Sequence, residues 1–296
     1  MRVLVTGASG LVGGRLVALL SGAFQVVAGR HETASPRGVE SVALDLLSED
    51  SIDAALAESR PDAVLHAAAM AEPDRCEREP EAATALNVGA TRALARQCRR
   101  RDIRLLALST DLVFPGDRAG WTEADEPRPL LLYGRTKLEG ESAALSEHSG
   151  AVVLRIALVH GRGHGRRATA SESIAWALAA RRGVRLYTDQ FRTPIDPESI
   201  ASAVTRLLPG SESGIFHLGG IERVSRYELG LRTARLLGFD GSGIQAIRFA
   251  EAVGVAPRPP DVSLDSGRAL GELGWKARSL DEAILAGRRS PDEGQA

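Results

Sequence analysis

Short apolar runs alternate with longer amphipathic stretches along this chain, and the alternation predicts its architecture. Val3-Leu4-Val5 is a β-branched strand signal, and the glycine-rich turn Thr6-Gly7-Ala8-Ser9-Gly10 follows it at once. A helix is expected over 11–20, with strands over 25–28 and 41–44. Ser48 opens a second helix with Glu49 and Asp50 in its first turn, as a cap and the helix dipole prefer. Residues 63–69 (AVLHAAA) read as a buried strand, 72–81 as a polar loop and 81–101 as one long amphipathic helix. Its Arg99-Arg100-Arg101 end suits the negative pole of the dipole. Strands at 103–108 and 151–156 flank a helix that starts near 132. Beyond them come helices over 171–182 and 197–208, strands over 184–187 and 214–218, and helices over 225–237, 266–273 and 279–288. The polar stretch 288–296 is expected to fray.

Strands that alternate with helices imply an α/β protein: a Rossmann-type doubly wound parallel sheet with a smaller C-terminal α/β substrate lobe. The expected division is discontinuous. Residues 1–158 and 196–220 form a dinucleotide-binding domain, and 159–195 with 221–296 form the smaller lobe.

Composition narrows the partners. With 296 residues, 44% of them apolar and 25% charged, the chain has the balance of a globular protein with a large core. A net charge of −1 offers no broad field for nucleic acid or an anionic membrane. No apolar run approaches the roughly 18 residues of a membrane span. Cys76 and Cys98 lack metal-like spacing, and Met1-Arg2 leads straight into a strand with no room for a signal peptide. A cytoplasmic location is the expectation.

The chemistry centres on Tyr133 and Lys137. Residues four apart share a helix face, so phenol and ammonium are expected to meet, and a nearby cation lowers a phenol's pKa. The chain holds 3 Tyr and only two Lys, at 137 and 276. A chance pairing at this spacing is expected about 0.02 times, so the motif carries weight. Upstream, Gly7, Gly10 and Gly13 stand at the spacing of a phosphate-binding turn, which makes Gly7, Ser9, Gly10, Leu11, Val12 and Gly13 candidate cofactor contacts. The second strand ends in Gly29-Arg30 without an acid, and Arg30 offers a cation for a 2′-phosphate, favouring NADP(H) over NAD(H). Asp45 and Leu46 are expected against the adenine, and the small Ala67, Ala68 and Ala69 leave room for a flat cofactor. His66 reads as a structural hydrogen-bonder. Asn87, on an otherwise apolar helix face, is expected to make a backbone or water link beside the cofactor. Thr110 ends a strand and belongs at the cleft, where its hydroxyl can donate to a substrate carbonyl, with Asp111 beside it.

Taken together, TGASGLVG (6–13), HAAAMAEPDRCEREPE (66–81), LSTDLVFPGD (108–117), YGRTKLEGE (133–141), DQFRTP (189–194), GIFHLGG (214–220) and RPPDVSLDS (258–266) resemble the extended short-chain dehydrogenase/reductases. Within these the chain is similar to the dTDP-4-dehydrorhamnose reductase family, over nearly its whole length. The resemblance implies Thr110, Tyr133 and Lys137 as the catalytic set and NAD(P)H reduction of a 4-keto nucleotide sugar. A homodimer is a possible assembly. The C-terminal half departs from the pattern. The family's Asn-Phe pair is replaced by His160-Gly161-Arg162-Gly163-His164-Gly165-Arg166-Arg167, which reads either as a diphosphate grip or as a surface loop. Ile195 stands where Thr is usual. Asp111, Arg162, Gln190 and Arg192 are the candidate substrate contacts. Two alternatives stay open: an NADP-binding regulatory subunit similar to the methionine adenosyltransferase β subunit, or a nucleotide-sugar epimerase or dehydratase. Leu112 after Asp111 speaks against the dehydratase, which commonly has an acid pair there.

Overall fold

The computed structural model describes residues 1–33, 38–165, 168–251 and 258–288; Arg166, Arg167 and 289–296 lie outside these. Seven parallel strands form the central sheet: β1 (Arg2–Thr6), β2 (Gln25–Arg30), β3 (Glu40–Ala43), β4 (Ala63–His66), β5 (Arg104–Thr110), β6 (Val152–Ile156) and Gly214–Leu218. Their order is β3-β2-β1-β4-β5-β6 with Gly214–Leu218 at the far edge beside β6. The order reverses between β1 and β4, and ligands of such sheets sit beyond the carboxyl ends at that switch point.

Strand periodicity sends Val3 and Val5 to one face and Leu4 to the other, so both faces must be covered. The first face packs with Leu16, Val17 and Leu20 of α1 (Leu11–Leu20) and with Ile200, Val204 and Leu207 of the helix Pro197–Leu207. The second packs with Ile52 and Leu56 of α2 (Glu49–Ser59) and Leu94 and Cys98 of the helix Thr91–Arg100. Val262, Leu264, Ala269 and Trp275 also enter the first of these cores, although they belong to the segment expected in the smaller lobe.

Beyond the sheet, Val184–Tyr187 pairs in parallel with Ile244–Ile247, and Phe191–Arg192 pairs antiparallel with Val224–Ser225. Helices Ala170–Ala179, Arg226–Leu237 and Leu280–Ala286 accompany them. No helix among the described residues is long and apolar enough to cross a membrane.

Two stretches differ from the sequence expectation. The polar loop contains the helix Pro73–Arg78, which starts on a proline whose missing N–H a first turn tolerates. The long helix expected over 81–101 is interrupted by a π-helical turn, Ala85–Ala90. Asn87 sits in that turn, and Thr91 Oγ1 donates to its carbonyl at 2.9 Å. The turn packs against Gly140 of the helix Leu132–Glu147, where a Cβ would strike the Asn87 carbonyl.

Candidate active site

A cleft of about 700 Å³ opens at the switch point. Its floor is the glycine turn, with Gly7, Ser9 and Gly10, and one wall is Ala67, Ala68 and Ala69 after β4. Gly7 has φ +65°, and a Cβ there would lie 2.7 Å from the Ala68 amide nitrogen. Thr6 Oγ1 ties turn to wall by accepting from the Ala67 and Ala68 amides, both at 3.2 Å. Gly10 caps α1 without a side-chain hydrogen bond. The first amides of that helix, from Leu11, Val12 and Gly13, are therefore left for an anion such as a pyrophosphate. Gly13 itself packs on the Gly7 carbonyl, where a Cβ would collide. These features fit a dinucleotide. A Gly7→Ala variant is expected to lose about 1–3 kcal/mol of stability to left-handed strain. Its dinucleotide affinity should fall as the turn is forced from Ala68, and a titration showing wild-type affinity would refute this reading of the turn.

At the other end of the cleft stand Asp45 and Leu46 with His31 and Thr33. Arg30, expected there, is exposed and does not line the cleft; the next residue, His31, does, with Nε2 4.0 Å from Asp45 Oδ1. Asn87 makes the backbone link expected of it. Its Oδ1 accepts from the Met70 amide at 2.9 Å, and its Nδ2 donates to the Met70 carbonyl at 3.1 Å and to Thr136 Oγ1 at 3.0 Å. The side chain joins the segment after β4 to the Tyr133 helix. His66 hydrogen-bonds Thr6 Oγ1 at 2.8 Å and Thr91 Oγ1 at 3.0 Å, and burial, with Lys137 nearby, holds its pKa down to about 3. It is a neutral structural group.

Thr110 and Tyr133 come together beside the cleft, at the end of β5 and the second position of the helix Leu132–Glu147. Burial pushes the Tyr133 phenol above its ordinary pKa; a hydrogen bond with Thr110 opposes this, while Asp111 and Cys76 add to it. Lys137 is engaged with the main chain. Its Nζ donates to the Leu108 carbonyl at 2.8 Å, and burial lowers its pKa to about 8 against the pull of Glu141. Helical spacing sets where a side chain starts, and this long one ends at a buried carbonyl that needs a donor. The phenol is therefore protonated at neutral pH, which is what a proton donor requires.

Beneath this pair runs a buried polar network that sequence reasoning missed. Arg155 on β6 donates to Glu141 from Nη2 at 2.7 Å and from Nε to both carboxylate oxygens at 3.1 Å. Ser109, next to Thr110, donates to the same carboxylate, and His217 Nε2 lies 3.4 Å from Arg155 Nη1. The available signal was Arg155 itself, a cation inside the apolar run VVLRI.

On the substrate side, Asp111 is buried with Oδ2 lacking a hydrogen-bond partner. Thr110 Oγ1 donates to its Oδ1 at 3.2 Å, and Arg192 Nε lies 3.8 Å from Oδ2. Burial raises the Asp111 pKa to about 6, with Arg192 pulling the other way. Gln190 is buried two residues from Arg192. Arg162 stands between two closely packed glycines. Its neighbour Gly161 faces Ala283 and Asp196, and Gly163 faces Leu11 and Glu172. His164, one residue on, lines the cofactor cleft and donates its amide to the Leu11 carbonyl at 3.1 Å. The 160–165 turn thus lies against the start of the cofactor helix.

This fold and cleft define the class, a Rossmann-type dinucleotide-binding fold. The chain belongs to the family described as RmlD substrate binding domain, which matches residues 1–286. It is 33% identical over 97% of both chains to a probable low-salt glycan biosynthesis reductase of Haloferax volcanii. It is 34% identical to a dTDP-4-keto-6-deoxy-D-glucose reductase of Streptomyces niveus, covering 87% of this chain and 86% of that one. A crystal structure of a hypothetical dTDP-4-dehydrorhamnose reductase from Sulfolobus tokodaii superimposes with a TM-score of 0.83 at 31% identity, over 95% of this chain and 98% of that one. The rat methionine adenosyltransferase 2 subunit beta is also similar, 31% identical over 90% of this chain and 81% of its own.

Proposed function

We propose that the chain reduces a nucleotide-linked 4-keto-6-deoxy sugar with a nicotinamide dinucleotide, using Tyr133 as proton donor. The observation that carries this is a protonated, buried phenol in hydrogen-bond reach of Thr110 at the strand end beside the cleft. The names of the reductase relatives support the substrate class. When bound, the nicotinamide supplies a hydride to the carbonyl carbon. Tyr133 gives its proton to the carbonyl oxygen, and Thr110 offers a hydrogen bond that strengthens as negative charge develops there. Lys137, one turn along the same helix, is the cation assigned to steady the cofactor's ribose. Asp111 Oδ2 and Gln190 face the sugar as acceptor and donor. The cofactor reading favours NADP(H), because the end of β2 turns His31 and no acid into the cleft. The smaller lobe, 159–195 with part of 221–296, is assigned to the substrate.

Turnover of the reduction should fall as pH rises through about 8, because Lys137 is cationic below that value and neutral above it. The phenol, raised by burial, stays protonated through the same range. A rate that climbs between pH 7 and 9 would contradict the assignment. The direct test is NADPH oxidation with dTDP-, GDP- and UDP-linked 4-keto sugars. Consumption with one of them is expected; tight NADPH binding without any consumption would favour a regulatory subunit.

A further inference from the structure

The cofactor cleft has one more boundary, which belongs neither to the glycine turn nor to the wall after β4. His164 and Gly165 reach it from the 160–165 turn, whose sequence reads equally as a diphosphate grip or a surface loop. This turn is firmly built. The Gly161 carbonyl accepts from Thr169 Oγ1 at 2.6 Å, and the Gly161 amide donates to Ser171 Oγ at 2.9 Å. Glu172 Oε2 accepts from the amides of Gly163 at 3.2 Å and Thr169 at 3.0 Å, within the capping box that opens the helix Ala170–Ala179. Gly163 lies so close to α1 that a Cβ there would be 2.6 Å from Leu11 Cδ1. The His164 amide then donates to the Leu11 carbonyl at 3.1 Å, which ties the turn to the first residue of the cofactor helix.

The side chain completes the fit. A Cβ on Gly14 would lie 2.1 Å from His164 Cδ2 and 2.5 Å from its Cγ, so the carbon edge of the imidazole rests on the backbone of α1 where that helix carries no side chain. Gly14 stands one helical turn beyond Gly10, to whose carbonyl its amide donates at 2.9 Å, and residues at this spacing share a face. The half-buried ring therefore sits at the phosphate end of the cleft, on the face that Gly10 presents to it. Gly13 is needed by the Gly7 carbonyl; Gly14 makes room for His164.

Charge gives the ring a task. A pyrophosphate brings two negative charges, and the opening of a helix answers with roughly half of one positive charge. Among the described residues lining the cleft there is no lysine or arginine, and His31 and His164 are the two side chains able to carry positive charge. His31 stands at the other end, beside Asp45. An imidazole donates a hydrogen bond in its neutral as well as its cationic form, and donors to phosphate oxygens are of the strong, charge-assisted kind. We propose that His164 is a cofactor-binding residue, its imidazole N–H donating to the pyrophosphate of a dinucleotide seated on the first turn of α1. This rests on the dinucleotide reading of the cleft and gives the 160–165 turn to the cofactor instead of the substrate.

The test titrates the full chain with three ligands. NADPH and its 2′-phospho-ADP-ribose fragment carry the pyrophosphate, whereas adenosine 2′-monophosphate lacks it. His164→Ala should weaken the first two by about tenfold, the loss of one hydrogen bond to a charged group, and leave the third unchanged. His164→Phe keeps a ring over Gly14 without an N–H and should lose as much as His164→Ala. His164→Gln restores a donor and should recover part of the affinity. Wild-type NADPH affinity in His164→Ala, or an equal loss for all three ligands, overturns the proposal. Full affinity in His164→Phe overturns it too, because the ring would then serve packing alone. A wild-type chain that binds no dinucleotide sinks the cofactor reading and this proposal together, whereas dinucleotide binding indifferent to His164 sinks only the proposal.

Discussion

Tyr133→Phe should lower turnover by about a hundredfold or more while cofactor affinity stays near that of wild type. The ring is held by Met70, Cys76 and Ala83 with Leu86, Leu112 and Leu132 around them, and phenylalanine keeps every one of those contacts. What disappears is the O–H that neighbours Thr110 and that the proposed mechanism uses as proton donor. The measurement is single-turnover NADPH oxidation beside a cofactor titration. Retained turnover would remove Tyr133 from the mechanism, and a parallel loss of cofactor affinity would show that the change disturbed the site instead of the chemistry.

The second large effect is on stability. Glu141→Gln leaves the Arg155 guanidinium, 2% exposed in its side chain, without its carboxylate. Breaking a buried ion pair from one side costs about 3–5 kcal/mol, because the orphaned charge stays in a medium that solvates it poorly. A urea titration should show the midpoint shifted accordingly, with the slope unchanged. The double variant Glu141→Leu with Arg155→Leu should recover much of the loss, since no uncompensated charge remains. The neighbours sharpen the expectation: Ser109 precedes Thr110, and Glu141 is one turn from Lys137, so Glu141→Gln should also slow turnover. A midpoint equal to that of wild type would mean that Arg155 finds another partner, and His217 is the one within reach.

The sheet and the phosphate turn could be read from the chain because their determinants are local. A β-branched run, glycines at fixed spacing and a capped helix each act within a few residues, and the parallel order follows from alternation of strand and helix. The Tyr133–Lys137 pair was readable for the same reason, but only as far as the backbone. Where the lysine ends depends on the Leu108 carbonyl, 29 residues away in sequence. Asn87 was recognised as a polar intruder, yet the partners of its amide, the Met70 backbone and Thr136, lie 17 and 49 residues away in sequence, which no local rule announces. Arg30 is exposed and does not line the cleft for the converse reason: residue type and position in a motif say nothing about which way a loop turns.

The 160–165 turn has one further consequence. At one end, His160 donates its amide to the Ile195 carbonyl at 2.9 Å, on the segment that follows Arg192. At the other, His164 is joined to Leu11 and covers Gly14 of the cofactor helix. A single short span of backbone thus leans on both binding surfaces, and whatever orders it from one side lowers the cost of ordering it from the other. Thermodynamic reciprocity then makes any such coupling symmetric: a ligand of the cofactor cleft and a ligand on the Ile195 side would change each other's affinity by the same factor.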